Sequence, residues 1–373
     1  MNLDLTAEQI LLKDAAKRFI RDEYSFEVRR KILAAEGGYS VDLWQNFAEL
    51  GWLALTLPEA AGGFALGFVD AALLLEEFGQ GLVVEPFLST VILAARILER
   101  AGTEQAQLTL AQIASGEAIL ALAHDEPGER HKRDKVSMLA QNFGQFYQLT
   151  GVKSVVLDAK LATHIIVSAQ IENEAGFGLF LIPTSSCQAA QQYRLIDGTY
   201  ASDFILQKLE LPASSLLAEG EQAKIILEEA LDRVVLGQAA FAVGALEAVL
   251  TLTADYLRTR IQFGQAIGKF QSLQHKMADM FTQTQSARSM LLQGLSAIDG
   301  PATERAAAIS AAKVAIFRAG ILTAGEAMQL HGGMGMTAES AVGHYFKSLV
   351  TMEKTHGDVE WHLARFIRLT QGD

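Results

Sequence analysis

Several features that usually place a protein in a class are scarce in this 373-residue sequence. There is one cysteine, Cys187, which excludes an internal disulfide and a cysteine-based metal site and fits a reducing compartment. The net charge of −12 argues against nucleic acid as the main partner, because phosphate binding needs concentrated lysine and arginine. A small anionic ligand held by a local basic site is still compatible with this charge.

A long uninterrupted apolar run is also missing, although the mean hydropathy of +0.19 is high. The most apolar stretch, GWLALTLPEAAGGFALGFVDAALLL, is broken by a proline, a glutamate and two glycines, so we expect no membrane span. The first residues, MNLDLTAEQILLKD, carry acids where a secretory signal has a basic patch and then apolar residues, so we expect a cytoplasmic protein. The surplus apolar surface is expected to fill helix–helix interfaces, including those between subunits of an oligomer.

The pattern of the sequence changes twice along the chain and predicts an α+β fold with three domains. Residues 1–117 have amphipathic helical spacing, and Thr6 is placed to cap the first helix. Short β-rich runs such as THIIVSAQ and GFGLFLIPT follow at residues 118–217 and predict a small antiparallel barrel or sandwich. Long helical patterns return at residues 218–373 and predict a helical bundle.

The segment YLRTRIQFGQAIGKFQSLQHKMADM (256–280) carries the first chemical signal. Arg258 and Arg260 approach the end of one helix, Phe263 and Gly264 are expected to form a turn, and Gln271 is expected to begin the next helix. A pyrophosphate is bound well by an arginine beside the free N–H groups of a helix N-terminus. Alone this pattern is weak, because arginines at helix ends are usually surface residues.

The segment MQLHGGMGMTAES (328–340) carries the second signal. Gly332, Gly333 and Gly335 allow the backbone to approach a ligand closely, and Gln329 offers an amide on the preceding turn. Since no β-strand precedes it, this is not a dinucleotide fingerprint of the Rossmann kind. An ordinary glycine turn that ends a helix is the alternative, and the occurrence of both segments in one helical region raises the specificity of the signal.

Together with LWQNFAELGWLALTLPEAAGGFALGFVDAALLLEEFG near the N-terminus, both segments resemble the acyl-CoA dehydrogenase family over essentially the whole chain. The resemblance implies an N-terminal helical domain, a middle antiparallel β-barrel and a C-terminal four-helix bundle. It also implies FAD as cofactor, oxidation of an acyl-CoA thioester to a trans-2-enoyl-CoA, and an electron-transfer flavoprotein as acceptor. FAD would lie across a subunit interface of a homo- or hetero-tetramer with a related chain. The implied cofactor-binding residues are Arg260, Gln262, Phe263, Gln271, Gln329, Leu330, His331, Gly332 and Gly333.

The catalytic base of the family is a glutamate directly before a glycine, and this chain departs from that pattern. Counting without gaps from HYFK places the base position at His356, followed by Gly357. A minority of the family carries the base on the preceding long helix, at a position that corresponds to Val234, and Asp232 should face elsewhere on that helix. A neutral imidazole can accept a proton, so His356 is the candidate catalytic residue, with a non-catalytic role as the alternative.

The middle domain departs from the family as well. Its T-E-x-x-x-G-S-D loop and W-I-T/S strand, which hold the flavin ring, are replaced by AHDEPGERHK and GVKSVVLD. Only Glu126, Pro127 and Gly128 remain of the loop, and we expect the nearby His124 and His131 to be surface or turn residues.

A degraded ring site beside intact cofactor segments resembles the small, base-lacking subunits of heteromeric family members that degrade steroid side chains or dicarboxylic acids such as pimelate. A self-sufficient homo-oligomer with His356 as base, a non-catalytic acyl-CoA or flavin scaffold and a flavin monooxygenase relative are the alternatives. In MEKTHGDVEWH (352–362) we expect no metal site: Asp358 and Glu360 are first-turn acids of the last helix, and His362 packs or caps.

Overall fold

The computed structural model describes residues 5–129 and 131–371. The described chain forms two compact units. The first, here the helical unit, comprises the described parts of Met1–Lys31, Phe68–Val83 and Val235–Asp373. The second, here the sheet unit, comprises Ile32–Gly67 and Val84–Val234.

The helices and strands follow the helical, β, helical order expected from the sequence. The helices are α1 (Ala7–Glu23), α2 (Phe26–Ala34), α3 (Val41–Glu49), α4 (Phe68–Gly81), α5 (Ala95–Ala101), α6 (Glu104–Ala114), α7 (Gly220–Thr259), α8 (Gln271–Ala297), α9 (Ala302–His331), α10 (Ala341–Lys354) and α11 (Val359–Gln371). The strands are β1 (Leu120–Ala123), β2 (Leu139–Asn142), β3 (Phe146–Leu157), β4 (His164–Ile171), β5 (Phe177–Pro183), β6 (Ala189–Arg194), β7 (Tyr200–Pro212), β8 (Leu216–Glu219), β9 (Ile261–Gln262) and β10 (Gln265–Ala266). A π-helical segment, Leu88–Ala94, precedes α5. The division at residues 117/118 and 217/218 stays a prediction, since both α2 and α7 contain a boundary between the two units.

Local sequence signals account for several of these bounds. Thr6 forms a full capping box with Gln9: the Thr6 hydroxyl accepts the Gln9 N–H at 3.2 Å, and the Gln9 side chain accepts the Thr6 N–H at 3.1 Å. Ser40 caps α3 in the same way through the Leu43 N–H. These caps satisfy backbone donors that the first helical turn would otherwise leave unpaired.

The sheet unit is built around one mixed sheet of eight strands in the order β6-β7-β3-β2-β4-β5-β8, with β1 beside β4. Most pairs are antiparallel, as expected, and β4 adds parallel pairs with β1 and β2. Strand β4 is buried along nearly its whole length, which explains its run of apolar residues without alternation. Its side chains pack into the core with those of β3, β5 and β7.

Helices α4 and α7 of the helical unit cross with their backbones in contact. A Cβ atom on Gly79 would lie 1.9 Å from the Phe241 carbonyl oxygen, and one on Gly244 would lie 1.8 Å from the Glu76 carbonyl oxygen. Two glycines facing each other across the crossing therefore make this packing possible. The crossing fixes α7 at its middle, and α7 carries the first of the candidate cofactor segments at its C-terminal end.

Two described helical segments are long and apolar enough to cross a membrane by length and composition. They are Gly220–Thr259, with a hydropathy of 1.8, and Ala302–Met336, with 1.5. Their most apolar windows are 78% and 56% buried within the protein. Buried core helices pass the same test, so the expected absence of a membrane span stays a prediction.

The glycine crossing can be tested with Gly244→Ala. The added methyl group has only rigid backbone to displace, so we expect a loss of about 3 kcal/mol in the free energy of unfolding, measured by chemical denaturation. Gly325→Ala is the matched control: its Cβ would have its nearest neighbour, a ring carbon of Phe346, at 3.7 Å. That variant should be as stable as the wild type or gain up to about 1 kcal/mol from helix propensity. Equal losses in the two variants would contradict the crossing.

Candidate active site

The first cofactor segment forms a hairpin between two helices. Helix α7 ends at Thr259, β9 and β10 pair in an antiparallel register, and α8 begins at Gln271, as the sequence predicted. Phe263 and Gly264 occupy the turn with φ values of +52° and +78°, the geometry that a two-residue hairpin turn needs. The Phe263 ring is 89% exposed.

The second cofactor segment is an open glycine turn at the end of α9. Gly332 has a φ of +59°, and its N–H binds the Gln329 carbonyl oxygen. A Cβ on Gly332 or Gly333 would meet no atom within 4 Å, whereas one on Gly335 would lie 2.7 Å from the Met328 carbonyl oxygen. Thus Gly335 is required by packing, and the other two leave backbone that a ligand can approach.

The structure brings these two segments together. The rings of Tyr256 and His331 are stacked with centroids 4.3 Å apart, and the Tyr256 hydroxyl donates to the His331 carbonyl oxygen at 3.4 Å. His331 Nδ1–H donates to the Ala327 carbonyl oxygen at 2.9 Å, which fixes the ring. Among the predicted cofactor residues, Leu330 and His331 are buried, and the His331 ring contacts the first segment instead of facing solvent.

The remaining predicted residues fit the adenosine and pyrophosphate end of FAD. Arg260, Gln262, Gln271 and Gln329 are all exposed. In the described chain no side chain caps α8, a helix of 27 residues, and its Leu273 and Gln274 N–H groups bind the Phe270 carbonyl oxygen, which leaves the N–H groups of Gln271 and Ser272 to face a ligand. A guanidinium, amide groups and helix N–H donors form the donor set that a pyrophosphate needs, and the Phe263 ring offers a face for adenine.

The position that corresponds to the family's base lies in the turn between α10 and α11. His356 is half-buried there with a φ of +56°, and Gly357 follows with a φ of +106°. The other base position, Val234, is an apolar residue of the sheet unit's core. Asp232 does face elsewhere, as expected, since its carboxylate accepts a hydrogen bond from Arg133 at 2.9 Å.

The acids and histidine around His356 have structural roles. Asp358 accepts the Trp361 N–H at 2.9 Å and so caps α11, and Glu353 accepts the Val359 N–H at 3.0 Å. His362 is fully buried. In the part of the chain that the structure describes, no group of three or more His, Cys, Asp or Glu side chains is arranged to hold a metal ion.

The loop that remains of the flavin-ring site rests on a buried polar network in the sheet unit. Lys153, which sequence reasoning missed, is fully buried, and its ammonium donates to Glu126 at 2.6 Å, to the His124 carbonyl oxygen at 3.1 Å and to the Ser168 hydroxyl at 3.0 Å. The Glu126 carboxylate also accepts the backbone N–H groups of Ser137 and Met138.

His124 belongs to this network, so the expectation that it is a surface or turn residue was wrong. It is only 6% exposed, and its ring binds the Ser168 hydroxyl at 2.9 Å and the Lys132 carbonyl oxygen at 3.2 Å. A histidine beside a strand of apolar residues can point into the core once a hydroxyl and a carbonyl satisfy its two nitrogens. His131 does lie in a turn, with a φ of +61°.

Burial changes the protonation of the network. It lowers the pKa of His124 to about 3, with the Lys153 charge acting in the same direction. It also lowers the pKa of Lys153 to about 8, although Glu126 opposes this change. Burial alone would raise the pKa of Glu126, but the hydrogen bonds from Lys153 and the two backbone groups outweigh it and hold that pKa below its usual value.

The order of helical and sheet domains is the one expected for the acyl-CoA dehydrogenase fold, and comparisons with known proteins agree. The model of the acyl-CoA dehydrogenase N-terminal domain matches residues 6–117, and that of the C-terminal domain matches residues 225–368. The chain belongs to the acyl-CoA dehydrogenase family. Members of this family are FAD-dependent oxidoreductases.

Individual relatives are similar over nearly the whole chain. The probable acyl-CoA dehydrogenase YngJ of Bacillus subtilis is 28% identical, with 96% of this chain and 97% of that protein covered. A solved variant of the Tcur3481-Tcur3483 steroid ACAD is 28% identical with a TM-score of 0.88 over 98% of both chains. The ChsE4-ChsE5 complex from Mycobacterium tuberculosis is 25% identical with a TM-score of 0.90 over 100% of both chains.

The buried state of His124 predicts a loss of stability in acid. The unfolded chain takes up a proton on this histidine below about pH 6.5, whereas the folded chain does so only near pH 3, so the stability it contributes is lost as the pH falls through that window. We expect the Tm of the wild type to fall between pH 7 and pH 4. The fall should be smaller in His124→Gln and unchanged in His275→Gln, which alters an exposed histidine of α8. Equal pH slopes in all three proteins would refute this role of His124.

Proposed function

We propose that this chain is the subunit of a heteromeric acyl-CoA dehydrogenase that completes the FAD site of a related partner chain, and that the partner carries the base. The main support for this proposal is that the chain keeps one part of the family's site and lacks another. The cofactor surface of Arg260, Gln271 and the open glycine turn is intact, while His356 and Val234 leave both base positions of the family without a carboxylate.

Distances along α7 support a division of labour between chains. Gln238 Nε2 donates to the hydroxyl of Thr355, the residue before the base position, at 2.8 Å. Arg260 lies 22 positions further along, where its N–H still binds the Tyr256 carbonyl oxygen. With a rise of about 1.5 Å per residue, the two ends are about 33 Å apart. The cofactor surface and the base position of one chain therefore serve different places, so one can be lost while the other is kept.

The reaction defines what each group must do. FAD, when bound, supplies the acceptor for the hydride that leaves Cβ of the acyl thioester. The guanidinium of Arg260 would hold the pyrophosphate, Gln271 and Gln329 would bind the cofactor through their amides, and the exposed Phe263 ring would pack on its adenosine. A positioned base must take the proton from Cα. In this proposal that group is supplied in trans, and an electron-transfer flavoprotein reoxidises the cofactor.

The sheet unit supports the same assignment. Its strand GVKSVVLD offers no aromatic ring to a flavin, and Val155 on it is 44% exposed. Two similar solved structures are named for pairs of chains, Tcur3481-Tcur3483 and ChsE4-ChsE5, and the first is called a steroid ACAD. These names support the proposal that the protein acts in the degradation of fatty or steroid acyl-CoA thioesters, and a cytoplasmic location stays a prediction from the sequence.

One observation favours a second candidate, a self-sufficient homo-oligomer. His356 occupies the base position itself, in a turn that the protein holds in an uncommon backbone conformation. A neutral imidazole there would be chemically able to accept a proton.

Co-expression with a related acyl-CoA dehydrogenase chain from the same genome tests the proposed function. This chain purified alone should be colourless or weakly coloured, and the co-purified complex should show the visible absorption of flavin and reduce a dye with acyl-CoA substrates. A flavin-saturated, active homo-oligomer would contradict the proposal.

Arg260→Ala in the complex should lower flavin retention at least tenfold, since a hydrogen bond to a charged group contributes about 1.5–3 kcal/mol. Arg258→Ala is the matched control, because Arg258 ends the same helix but pairs with Asp255 at 3.1 Å. Equal loss of flavin in both variants would contradict the assignment of Arg260 to the cofactor site.

Replacement of the imidazole separates the two candidates. His356→Ala removes it, and His356→Asn removes it while tolerating the left-handed backbone conformation. Under the proposed function the assembled enzyme keeps its kcat with either variant. If His356 is the base, both variants should lower kcat by about 10²–10⁴-fold, whereas the exposed His275→Ala should not.

A further inference from the structure

The turn that carries residue 356 holds a non-glycine residue in a left-handed conformation. His356 has a φ of +56°, and Gly357 a φ of +106°. Such conformations are costly for residues with a side chain and persist where the surrounding structure dictates them, which is common at functional sites. The contacts around this turn explain how the conformation is enforced.

The first anchor is a buried ammonium group. Lys313 of α9 is fully buried, and its Nζ donates to the carbonyl oxygens of Met352 at 2.6 Å and Thr355 at 3.2 Å. The third contact, to Gln238 Oε1, is 3.1 Å, and the ammonium also lies 4.1 Å from the centroid of the Phe317 ring. Because a buried charge must be fully solvated by its surroundings, these carbonyl groups cannot turn away at low cost.

The second anchor comes from α7 and joins the first. Gln238 accepts from Lys313 through its oxygen and donates through its nitrogen to the Thr355 hydroxyl at 2.8 Å. The Thr355 hydroxyl in turn donates to the Met352 carbonyl oxygen at 3.1 Å. The last turn of α10 is thus fixed by side chains from two other helices.

The third anchor holds the far side of the turn. His362 Nε2–H donates to the His356 carbonyl oxygen at 3.2 Å, and the Ser310 hydroxyl lies 3.1 Å from Nδ1. A Cβ on Gly357 would lie 2.7 Å from Nε2 of the same ring, so only glycine fits beside it.

All the anchors named here bind the backbone at residues 352–356 or the side chain of Thr355, and none of these bonds involves the imidazole of His356. These contacts fix the backbone on both sides of residue 356. We propose that Lys313 is a positioning residue, which keeps position 356 preorganised in its left-handed conformation through the Met352 and Thr355 carbonyl groups.

This inference concerns the same site as the proposed function, but its test needs no flavin, partner or substrate. The positioning role of Lys313 and the proposed function can therefore be contradicted independently. Lys313→Met in the full chain removes the charge and keeps the bulk. Hydrogen–deuterium exchange, followed by mass spectrometry, should be at least tenfold faster in peptides covering residues 353–362 and unchanged in the rest of α10. Lys347→Met, which alters an exposed lysine of α10, is the matched control and should leave exchange unchanged.

A double-mutant comparison separates positioning from ordinary packing. Glycine adopts a positive φ without strain, whereas a histidine turn recovers its strain energy when Lys313 no longer holds it, so the fall in Tm caused by Lys313→Met should be larger in a His356→Gly background than in the wild type. An equal fall in both backgrounds, or unchanged exchange at residues 353–362, would overturn the proposal. If Lys313→Met does not fold, Gln238→Met is measured in the same way and should give a smaller increase in exchange over the same peptide. His356→Glu should leave the exchange of the turn at the wild-type level, and faster exchange would show that the turn depends on the histidine.

Discussion

The helical unit depends on the crossing of α4 and α7 at Gly79 and Gly244, where the two backbones touch without side chains between them. This contact fixes α7, a helix of 40 residues, at its middle. The parts of α7 before and after the crossing each contact a defined neighbour within the helical unit. Towards the start, Gln238 reaches the turn before His356. Near the end, Tyr256 stacks on His331 and sets the hairpin beside the glycine turn. One rigid helix thereby positions two separate functional regions.

A buried ion pair stabilises the loop that the sequence predicts to be the remnant of a flavin-ring site. The Lys153 ammonium and the Glu126 carboxylate are both buried and bound to each other at 2.6 Å. Removing one member of such a pair leaves an uncompensated charge and costs about 3–5 kcal/mol, so neither is easily lost alone. Residues that only contact a ligand carry no such penalty when they change. The loop's Glu126 is therefore held by the stability of the sheet unit, whatever the chain now binds.

Features whose causes lie close together in the sequence were predicted correctly. Buried polar side chains with partners far away in the sequence were not predicted. The Thr6 cap, the turn at Phe263 and the start of α8 at Gln271 were predicted because their causes lie within a few residues. The burial of His124, Lys153 and Lys313 was missed, because their side-chain partners lie 15 to 75 residues away in the sequence. For Lys153 the available signal was a single charge in an otherwise uncharged strand, and for Lys313 it was a single charge within the stretch AAAISAAKVAIF of α9.

In the proposed function, the lack of a carboxylate at position 356 and the presence of the predicted cofactor-binding residues are consistent with each other. The two features lie near different parts of α7. If Arg260 binds the cofactor of a partner chain, as proposed, this role does not depend on a carboxylate at position 356, since about 33 Å of α7 separates Arg260 from Gln238, which contacts the turn before His356. The backbone of the turn is held in place by the cost of leaving the Lys313 charge without its carbonyl partners. A preserved turn is therefore weak evidence of catalysis in this chain, and the identity of the side chain it carries decides the question.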